Sequence, residues 1–177
     1  MPKAKASNRK SSPRLETQTD LSGNAIPTLA EALNGLVADA YVLYLKTKNF
    51  HWHVSGPHFR DYHLLFDEQA DQIFASTDVL AERVRKLGAE TVHSFAEMLK
   101  RTALKESNSD YLAPGEMLRE LMNDNKTVIK NMRAAHELCD EHEDVATASI
   151  IEVLIDEAER RNWFLFEASR TPDNSGH

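Results

Sequence analysis

The chain has 177 residues, of which 41% are hydrophobic, and this is enough for one domain with an ordinary core. It contains no run of about 18 apolar residues and no N-terminal apolar segment typical of a secretory signal. We therefore expect a cytoplasmic protein that does not span a membrane. Cys139 is the single cysteine, which excludes a disulfide within the chain and is typical of a reducing compartment.

Charge is divided unevenly along the chain. The net charge is -7, yet the first 14 residues hold no acid and five basic side chains, namely Lys3, Lys5, Arg9, Lys10 and Arg14. Without them, 16 basic residues face 28 acidic ones, so residues 15–177 carry -12. Residues 1–24 are polar without a hydrophobic period, which predicts a disordered basic arm. Such an arm on an acidic body is typical of a protein that binds a polyanion or a membrane surface.

The first helix is predicted from its cap. The hydroxyl of Thr28 can cap the chain while Glu31 reaches back to it. One apolar stripe follows, formed by Leu29, Leu33, Leu36, Val37, Ala40 and Tyr44. We expect this helix to run to about Val54, where Ser55-Gly56-Pro57 breaks it.

A second helix follows with apolar residues in 3–4 spacing, at Phe59, Tyr62, Phe66, Ala70, Ile73, Thr77, Leu80, Val84 and Leu87. Gly88 is the predicted C-cap. About 25 residues then form a crossover, which contains one short amphipathic piece, Phe95, Met98 and Leu99. The pattern restarts at Pro114-Gly115.

The remaining residues predict two more helices. The third carries apolar residues from Met117 to Met132 and runs to about Glu141. The fourth carries Ile151, Leu154, Ala158, Leu165 and Phe166 and ends at Ser169, before Thr171-Pro172. Two hairpins joined by a long crossover with a short helix indicate an all-α, ferritin-like four-helix bundle over residues 25–171. Residues 172–177 form a short predicted tail.

Several imidazole and carboxylate side chains lie on the second helix and in the segment just before it: His51, His63, Asp67, Asp78 and Glu82. This mixture of ligands suits Fe(II) and similar divalent metals. His63 and Asp67 are four residues apart, as are Asp78 and Glu82, so each pair shares a helix face. All four lie within about 100° of arc beside the apolar stripe.

These residues cannot surround one metal ion within one chain. Asp67 and Asp78 are separated by about 16 Å along a helix, whereas ligands lie about 2 to 2.5 Å from their ion. A two-fold axis near the middle of the helix would bring His63 and Asp67 of one subunit against Asp78 and Glu82 of another. The spacing therefore predicts a metal site at a subunit interface.

Ferritins ordinarily build a di-iron centre inside one bundle with Glu-x-x-His motifs on facing helices. The single Glu-x-x-His of this sequence, from Glu90 to His93, follows the predicted end of the second helix at Gly88 and does not lie on a long helix. The lack of such motifs on the predicted long helices disfavours a centre within one subunit and favours the interface interpretation.

The residues around the predicted site resemble the signature of the Dps (DNA-protection-during-starvation) family. The resemblance covers about residues 26–170 and is carried by Asn49-Phe50-His51-Trp52, Val54, Gly56, Phe59, His63, Asp67, Asp78 and Ala81-Glu82-Arg83. It implies that His51, His63 and Asp67 of one subunit and Asp78 and Glu82 of its two-fold mate bind iron.

The resemblance also implies a function. Dps proteins are dodecameric hollow shells that act as ferroxidases, oxidising Fe(II) preferentially with hydrogen peroxide, and that store ferric mineral inside, often on DNA. Trp52 is adjacent to the predicted site and is then a candidate electron donor to oxidising equivalents that escape it. The basic arm would bind DNA non-specifically through salt-sensitive phosphate contacts, which implies association with the nucleoid.

The turn between the third and fourth helices borders a three-fold pore in Dps shells. This makes Glu143, Asp144 and Glu152 pore candidates by resemblance. The acid that relatives often carry slightly further on corresponds to Ser149 in this chain.

Simpler interpretations stand beside these. His51 and His63 alone would suggest hydrogen-bonded core histidines, and acids on a helix usually form a solvated face. His58 and Asp71 are candidates for outer positions around the site. We expect His53 to be structural or solvent-facing and Trp163 to serve in packing. The arm also fits a solubilising role. Two other functions remain open: a DNA-packing shell with a vestigial metal site, and a shell used for adhesion or immune stimulation.

Overall fold

The computed structural model describes residues 15–170, and this part of the chain forms five helices and no strand. The helices are α1 (Ala25–His53), α2 (Phe59–Lys86), α3 (Phe95–Arg101), α4 (Pro114–Glu141) and α5 (Val145–Ala168). The four long helices form the predicted bundle, and α3 is the predicted short helix in the crossover. The all-α fold class is confirmed.

Short connections make α1 antiparallel to α2, and α4 antiparallel to α5. These two hairpins pack on each other mainly through α1 and α4, while α2 and α5 touch only slightly. Large apolar side chains from all four long helices are fully buried between them: Phe50, Phe66, Leu29, Leu33, Leu43, Ile73, Leu80, Leu87, Met117, Leu118, Leu121 and Ile151. Burial of this apolar surface is the main driving force for the bundle.

The start of α1 differs from the prediction. The helix begins at Ala25, whose amide donates to the Ser22 carbonyl at 3.0 Å, and Thr28 already lies inside it. The Thr28 hydroxyl donates to the Asn24 carbonyl at 3.2 Å rather than capping the helix. Glu31 accepts from Arg101 of α3 at 2.6 Å. The predicted capping box is therefore wrong, because the N-cap residue of α1 is Asn24, four residues before Thr28.

Both predicted breaks around α2 are confirmed. Gly56 has φ 106° in the turn after α1, and Gly88 has φ 81° just after the C-cap residue Leu87. Residues with a Cβ rarely adopt such angles, so glycine lets the chain turn at both ends of α2.

The second hairpin is capped by side chains at both helix starts. Pro114 occupies the first turn of α4, and Glu116 accepts the Ala113 amide at 3.0 Å. Asp144 accepts the Thr147 amide at 3.1 Å and so caps α5. The helix α5 begins at Val145, well before the predicted apolar stripe.

Two buried polar residues of α1 fix the crossover. Asp39 accepts hydrogen bonds from the Thr102 hydroxyl and the Ala103 amide at 2.7 Å, and from Asn131 of α4 at 2.8 Å. Asn34 accepts from the Val92 amide at 2.9 Å and donates to the Glu90 carbonyl at 3.0 Å. The crossover is thus tied to α1 by polar contacts that the apolar pattern could not reveal.

None of the helices in residues 15–170 is both long enough and apolar enough to cross a membrane.

Candidate metal centre

Two histidines from neighbouring helices form the centre of the site. His51 lies in the last turn of α1 and His63 in the second turn of α2. The His51 Nδ1 is 2.8 Å from the His63 carbonyl, and the His63 Nδ1 is 2.8 Å from the His51 carbonyl. The rings stack with centroids 3.8 Å apart. This reciprocal pair exists because the short turn folds α2 directly back along α1.

The reciprocal hydrogen bonds fix which ring nitrogens are free. A carbonyl oxygen only accepts, so both Nδ1 atoms must carry the hydrogen. In the neutral rings of His51 and His63, each Nε2 therefore presents its lone pair. Histidines that bind metals are usually held in this way, with the second nitrogen donating to a fixed acceptor. The fold thus presents two imidazoles that are ready to bind a cation.

Asp67 lies one turn further along α2 and completes the first half of the site. Its Oδ1 is 3.7 Å from the His51 Nε2, and its side chain is 42% exposed. Lys48 of α1 donates to the same carboxylate, and this contact holds the pKa of Asp67 below its usual value, although burial acts in the opposite direction. Lys48 also lies 3.5 Å from Asp71. A cation already pairs with the predicted ligand.

Sequence reasoning missed Lys48. Contact with Asp67 is the main cause that raises the pKa of Lys48, so the ammonium is charged at neutral pH. Lys48 precedes His51 by three residues, which places both on one face of α1. This three-residue spacing between Lys48 and His51 is the sequence signal that could have pointed to Lys48.

The second half of the site lies further along α2. Asp78 and Glu82 are exposed, and Glu82 pairs with Lys86 at 3.1 Å. The rise of a helix separates Asp78 from Asp67 by about 16 Å. Accordingly, residues 15–170 contain no group of three or more His, Cys, Asp or Glu side chains that could hold a metal ion. One chain stacks His51 on His63 and places Asp67 near His51, but it does not bring the second acid pair to them.

An aromatic cluster lies on the same face between the two halves. Phe74 is 50% exposed, and its ring centroid lies 4.9 Å from Tyr44 and 6.3 Å from Tyr41 of α1. At 100° per residue, Phe74 falls between His63 and Asp67 in angle around α2. The face therefore combines two polar half-sites with an exposed apolar centre.

The interior of the bundle also holds buried polar side chains. Its buried polar groups include Gln69, Asn125 and Arg161, where Arg161 donates to Asn125 at 3.3 Å and its carbonyl accepts from Gln69 at 3.1 Å. Burial lowers the pKa of Arg161 to about 10, which still leaves the guanidinium charged at neutral pH. The buried cation Arg161 would repel a metal ion from this part of the interior.

Comparison with known proteins agrees with this architecture. The ferritin-like domain family matches residues 30–170. The DNA protection during starvation protein of Brevibacillus brevis is 34% identical over 137 residues, which cover 77% of this chain and 91% of that protein. The X-ray structure of Dps from Thermosynechococcus elongatus matches with a TM-score of 0.82 and 33% identity, covering 86% of this chain and 96% of that chain.

The chain belongs to the Dps family. A further structure, the Dps protein of Vibrio cholerae O1, is described as a member of a broad superfamily of ferritin-like diiron-carboxylate proteins. It has a TM-score of 0.83 and 29% identity, covering 93% of this chain and all of that chain. The stacked histidines and the acids of α2 thus belong to a Dps bundle.

Residues next to the centre differ in their surroundings. Trp52, the candidate electron donor of this Dps chain, is 61% exposed. The His53 Nδ1 donates to the Asn49 carbonyl at 2.8 Å within α1, which agrees with a local structural role. The His58 ring lies 5.8 Å from the Tyr62 ring in the turn before α2, whereas Asp71 reaches the centre through Lys48.

The Dps pore candidates occupy three different environments. Glu143 is exposed with φ 58° in the α4–α5 turn, and Glu152 pairs with His136 at 3.0 Å. Asp144 is only 3% exposed and accepts from Arg83 at 2.7 Å as well as from Thr147. This geometry assigns Asp144 to helix capping and argues against a pore role for it.

Burial and nearby side chains also shift the pKa values of two groups at this turn, Asp144 and Cys139. Burial tends to raise the pKa of Asp144, but the Thr147 and Arg83 contacts outweigh it and lower the pKa below the usual value. Burial and the nearby Asp144 and Asp140 raise the pKa of Cys139 to about 11. Cys139 is therefore a protonated, buried helix residue at neutral pH, as the sequence suggested.

The predicted DNA-contacting residues, Lys3, Lys5, Arg9, Lys10 and Arg14, lie outside residues 15–170. The segment that follows them is packed against the end of α2, although the sequence predicted a disordered arm up to residue 24. Arg85 donates to the Leu15 carbonyl at 3.0 Å, and the Thr17 hydroxyl donates to the Arg85 carbonyl at 3.1 Å. A Cβ on Gly88 would lie 2.9 Å from the Thr17 amide nitrogen, so glycine permits this close approach.

Proposed function

We propose that this Dps chain is the subunit of a hollow dodecameric shell that oxidises iron(II), preferentially with hydrogen peroxide, and stores the ferric product. The α2 face carries the proposal. It presents two free imidazole nitrogens beside Asp67, and a second acid pair that the same chain cannot bring to them. Membership in the Dps family supports the same chemistry.

The positions on α2 favour a two-fold interface. The midpoint between Asp67 and Asp78 falls between residues 72 and 73, and so does the midpoint between His63 and Glu82. Antiparallel packing of α2 on its copy about that point would place each member of the first half opposite a member of the second. Phe74 would lie near the axis, where its exposed ring would be buried. Two equivalent sites per dimer follow.

The proposed ligands fit iron as the substrate. Imidazole and carboxylate groups bind Fe(II), and the negative carboxylates stabilise the higher charge of Fe(III). Two Fe(II) ions give one electron each to a single peroxide, whose O–O bond breaks. Two Fe(II), one hydrogen peroxide and two waters thereby give two FeOOH and four protons. Because both electrons are delivered together, no hydroxyl radical is released.

Trp52 and the N-terminal arm extend this proposal. Trp52 follows His51 directly and would donate electrons to oxidising equivalents that escape the site. The five basic residues of each arm, repeated around a shell, would bind DNA phosphates through many weak contacts without reading sequence. Iron removal and DNA binding together would protect DNA from oxidative damage, and they imply a nucleoid-associated, cytoplasmic protein.

The test is anaerobic peroxide consumption per Fe(II) added. We expect wild type to consume about one peroxide for every two irons, and the double variant His51→Ala/His63→Ala to lose this reaction. His53→Ala is the matched control, because His53 lies on α1 but bonds only to its own helix. Shell size is measured in parallel by light scattering. Equal, slow iron oxidation by wild type and the double variant at unchanged shell size would refute the ferroxidase proposal.

Lys48 favours a second candidate function. Its ammonium donates to Asp67, so it occupies one of the proposed iron ligands. If Lys48 is not displaced by iron, the shell would pack DNA with a vestigial metal site. The same measurement separates the two functions, because a vestigial site predicts no rapid peroxide consumption even in wild type.

A further inference from the structure

A third ring extends the pair of stacked histidines. Phe59 is the first residue of α2 and precedes His63 by four positions, which places both side chains on one helix face. The centroid of the Phe59 ring lies 5.0 Å from that of His63, and the two ring planes are inclined at 30°. The His63 ring in turn stacks on His51 at 3.8 Å and 20°. The three rings form one series that joins α1 to α2.

Phe59 and His51 lie on different sides of the His63 ring. Among the ring contacts within residues 15–170, each of the two contacts His63, whereas they do not contact each other. Two rings that pack on a third without touching each other use different sides of it. The His63 ring is therefore enclosed between an imidazole and a phenyl group.

The start of α2 is itself held in place. The Phe59 amide donates to the Gly56 carbonyl at 3.0 Å. The Tyr62 amide donates to the His58 carbonyl at 3.1 Å, and the Tyr62 hydroxyl donates to the Ala168 carbonyl at the end of α5 at 3.2 Å. Helix ends without such contacts fray. Phe59 thus has a fixed position from which it can restrain a neighbouring side chain.

The hydrogen bond of His63 does not restrain the whole ring. Its Nδ1 donates to the His51 carbonyl at 2.8 Å, which fixes the tautomer. The outer torsion of a histidine side chain has broad minima, so the ring can still tilt about this contact. A ring packed on each side limits that tilt. Phe59 is 45% exposed, so it is not part of the buried core, and its contact with His63 accounts for an aromatic side chain at this position.

We propose that Phe59 is a positioning residue of the metal centre, which holds the Nε2 of His63 in the direction needed to bind iron. This inference rests on the ferroxidase function proposed above. Phe59 supplies no ligand atom and acts through His63. A ligand that is already oriented loses less entropy when it binds, so removal of the Phe59 ring weakens metal binding while all ligands remain.

The test uses Co²⁺, a probe for Fe(II) that peroxide consumption does not complicate, titrated anaerobically into the full, metal-free protein. Phe59→Leu keeps an apolar side chain without a ring, and we expect about tenfold weaker Co²⁺ binding and an altered visible absorption spectrum. Phe59→Tyr keeps the ring and binds as wild type does. Phe164→Leu is the matched control, because Phe164 also contacts a ring, that of Trp163, but lies on α5.

Two further measurements distinguish positioning from a general loss of structure. In the His63→Ala background, Phe59→Leu has no further effect on Co²⁺ affinity, because Phe59 acts through His63. In peroxide consumption, Phe59→Leu raises the Fe(II) concentration at half-maximal rate about tenfold and leaves the maximal rate within about twofold. Shell size and melting temperature are followed in parallel.

Three outcomes would overturn the role of Phe59. They are wild-type Co²⁺ affinity and spectrum in Phe59→Leu, Co²⁺ binding by Phe59→Tyr that is as weak as in Phe59→Leu, and an equal loss of affinity in the His63→Ala background. Co²⁺ binding does not require iron oxidation. A protein that shows the expected Co²⁺ effects but consumes no peroxide refutes the ferroxidase function alone, whereas peroxide consumption without any Co²⁺ effect refutes the role of Phe59 alone.

Discussion

The two halves of the α2 face are built in different ways. His51 and His63 are held by reciprocal backbone hydrogen bonds between two helices, and Asp67 is held by Lys48. Asp78 and Glu82 are exposed, and Glu82 pairs with Lys86 on its own helix. The first half is preorganised by the fold of one chain. The second half is free to meet another molecule.

This difference teaches where the energy of the site comes from. Ligands that are already oriented lose little entropy on binding an ion, whereas exposed acids gain a fixed position only in an assembly. The exposed ring of Phe74 between the halves would supply apolar surface for the proposed assembly. Binding of iron and association of subunits should therefore be coupled.

The largest expected effect comes from breaking the surface between the halves. Phe74→Asp should weaken the two-fold dimer by about 2 kcal/mol or more, roughly thirtyfold in its dissociation constant, because it buries a charge near the axis. Sedimentation velocity should show smaller species, with peroxide consumption lost in parallel. Tyr111→Asp, at a 66% exposed aromatic residue of the crossover, is the matched control. A full-size, active Phe74→Asp shell would exclude this face as the interface.

A second prediction separates the halves genetically. His63→Ala and Glu82→Gln should each be inactive alone, because each destroys one half of both sites in a dimer. Refolded together at equal amounts, they should recover about a quarter of the wild-type rate, since half of the dimers are mixed and each has one intact site. Peroxide consumption before and after mixing measures this. A lack of recovery in mixed shells would place the site within one chain.

The smallest expected effect on peroxide consumption comes from a side-chain contact beside the second half, because this contact affects the stability of the bundle rather than the site itself. Arg83, next to Glu82, donates to buried Asp144 of the α5 cap, so Asp144→Asn should destabilise the bundle by about 2 kcal/mol. The folded pKa of Asp144 is lowered, so its contribution is fully present above its ordinary pKa of 3.8 and is lost as the pH falls through the lower folded value. Urea unfolding at neutral and acidic pH measures this.

The matched variant for the last prediction is Glu141→Gln, at an exposed acid just before the same turn. It should unfold at the same urea concentration as wild type. A loss of stability in Asp144→Asn that is equal at neutral and strongly acidic pH would contradict the ionic contribution of the Arg83 pair.

Much of the fold followed from local patterns. The breaks at Gly56 and Gly88 depend on backbone angles that glycine adopts at little cost, and the helix ends followed from them. The start of α1 was mispredicted because Thr28 has the residue type of a cap, whereas Ser22 supplies the first hydrogen bonds. Capping residues compete within a few positions, and composition alone does not rank them.

The candidate site was predicted less completely. Spacing placed His63 and Asp67 on one face, but it could not show that His51 and His63 fix the tautomer of each other. Lys48 was missed because its contact with Asp67 joins two helices. The capping role of Asp144 likewise depends on Arg83, far away in sequence.

By itself, the sequence determined the helical periods, the glycine breaks and the ligand spacing along α2, because each depends on neighbours a few residues apart. Only the tertiary structure decided which nitrogens of His51 and His63 are free, which cation pairs with Asp67, and that His136 bridges two helices. These contacts join residues on different helices. Their geometry is set by how the helices pack, which no local pattern encodes.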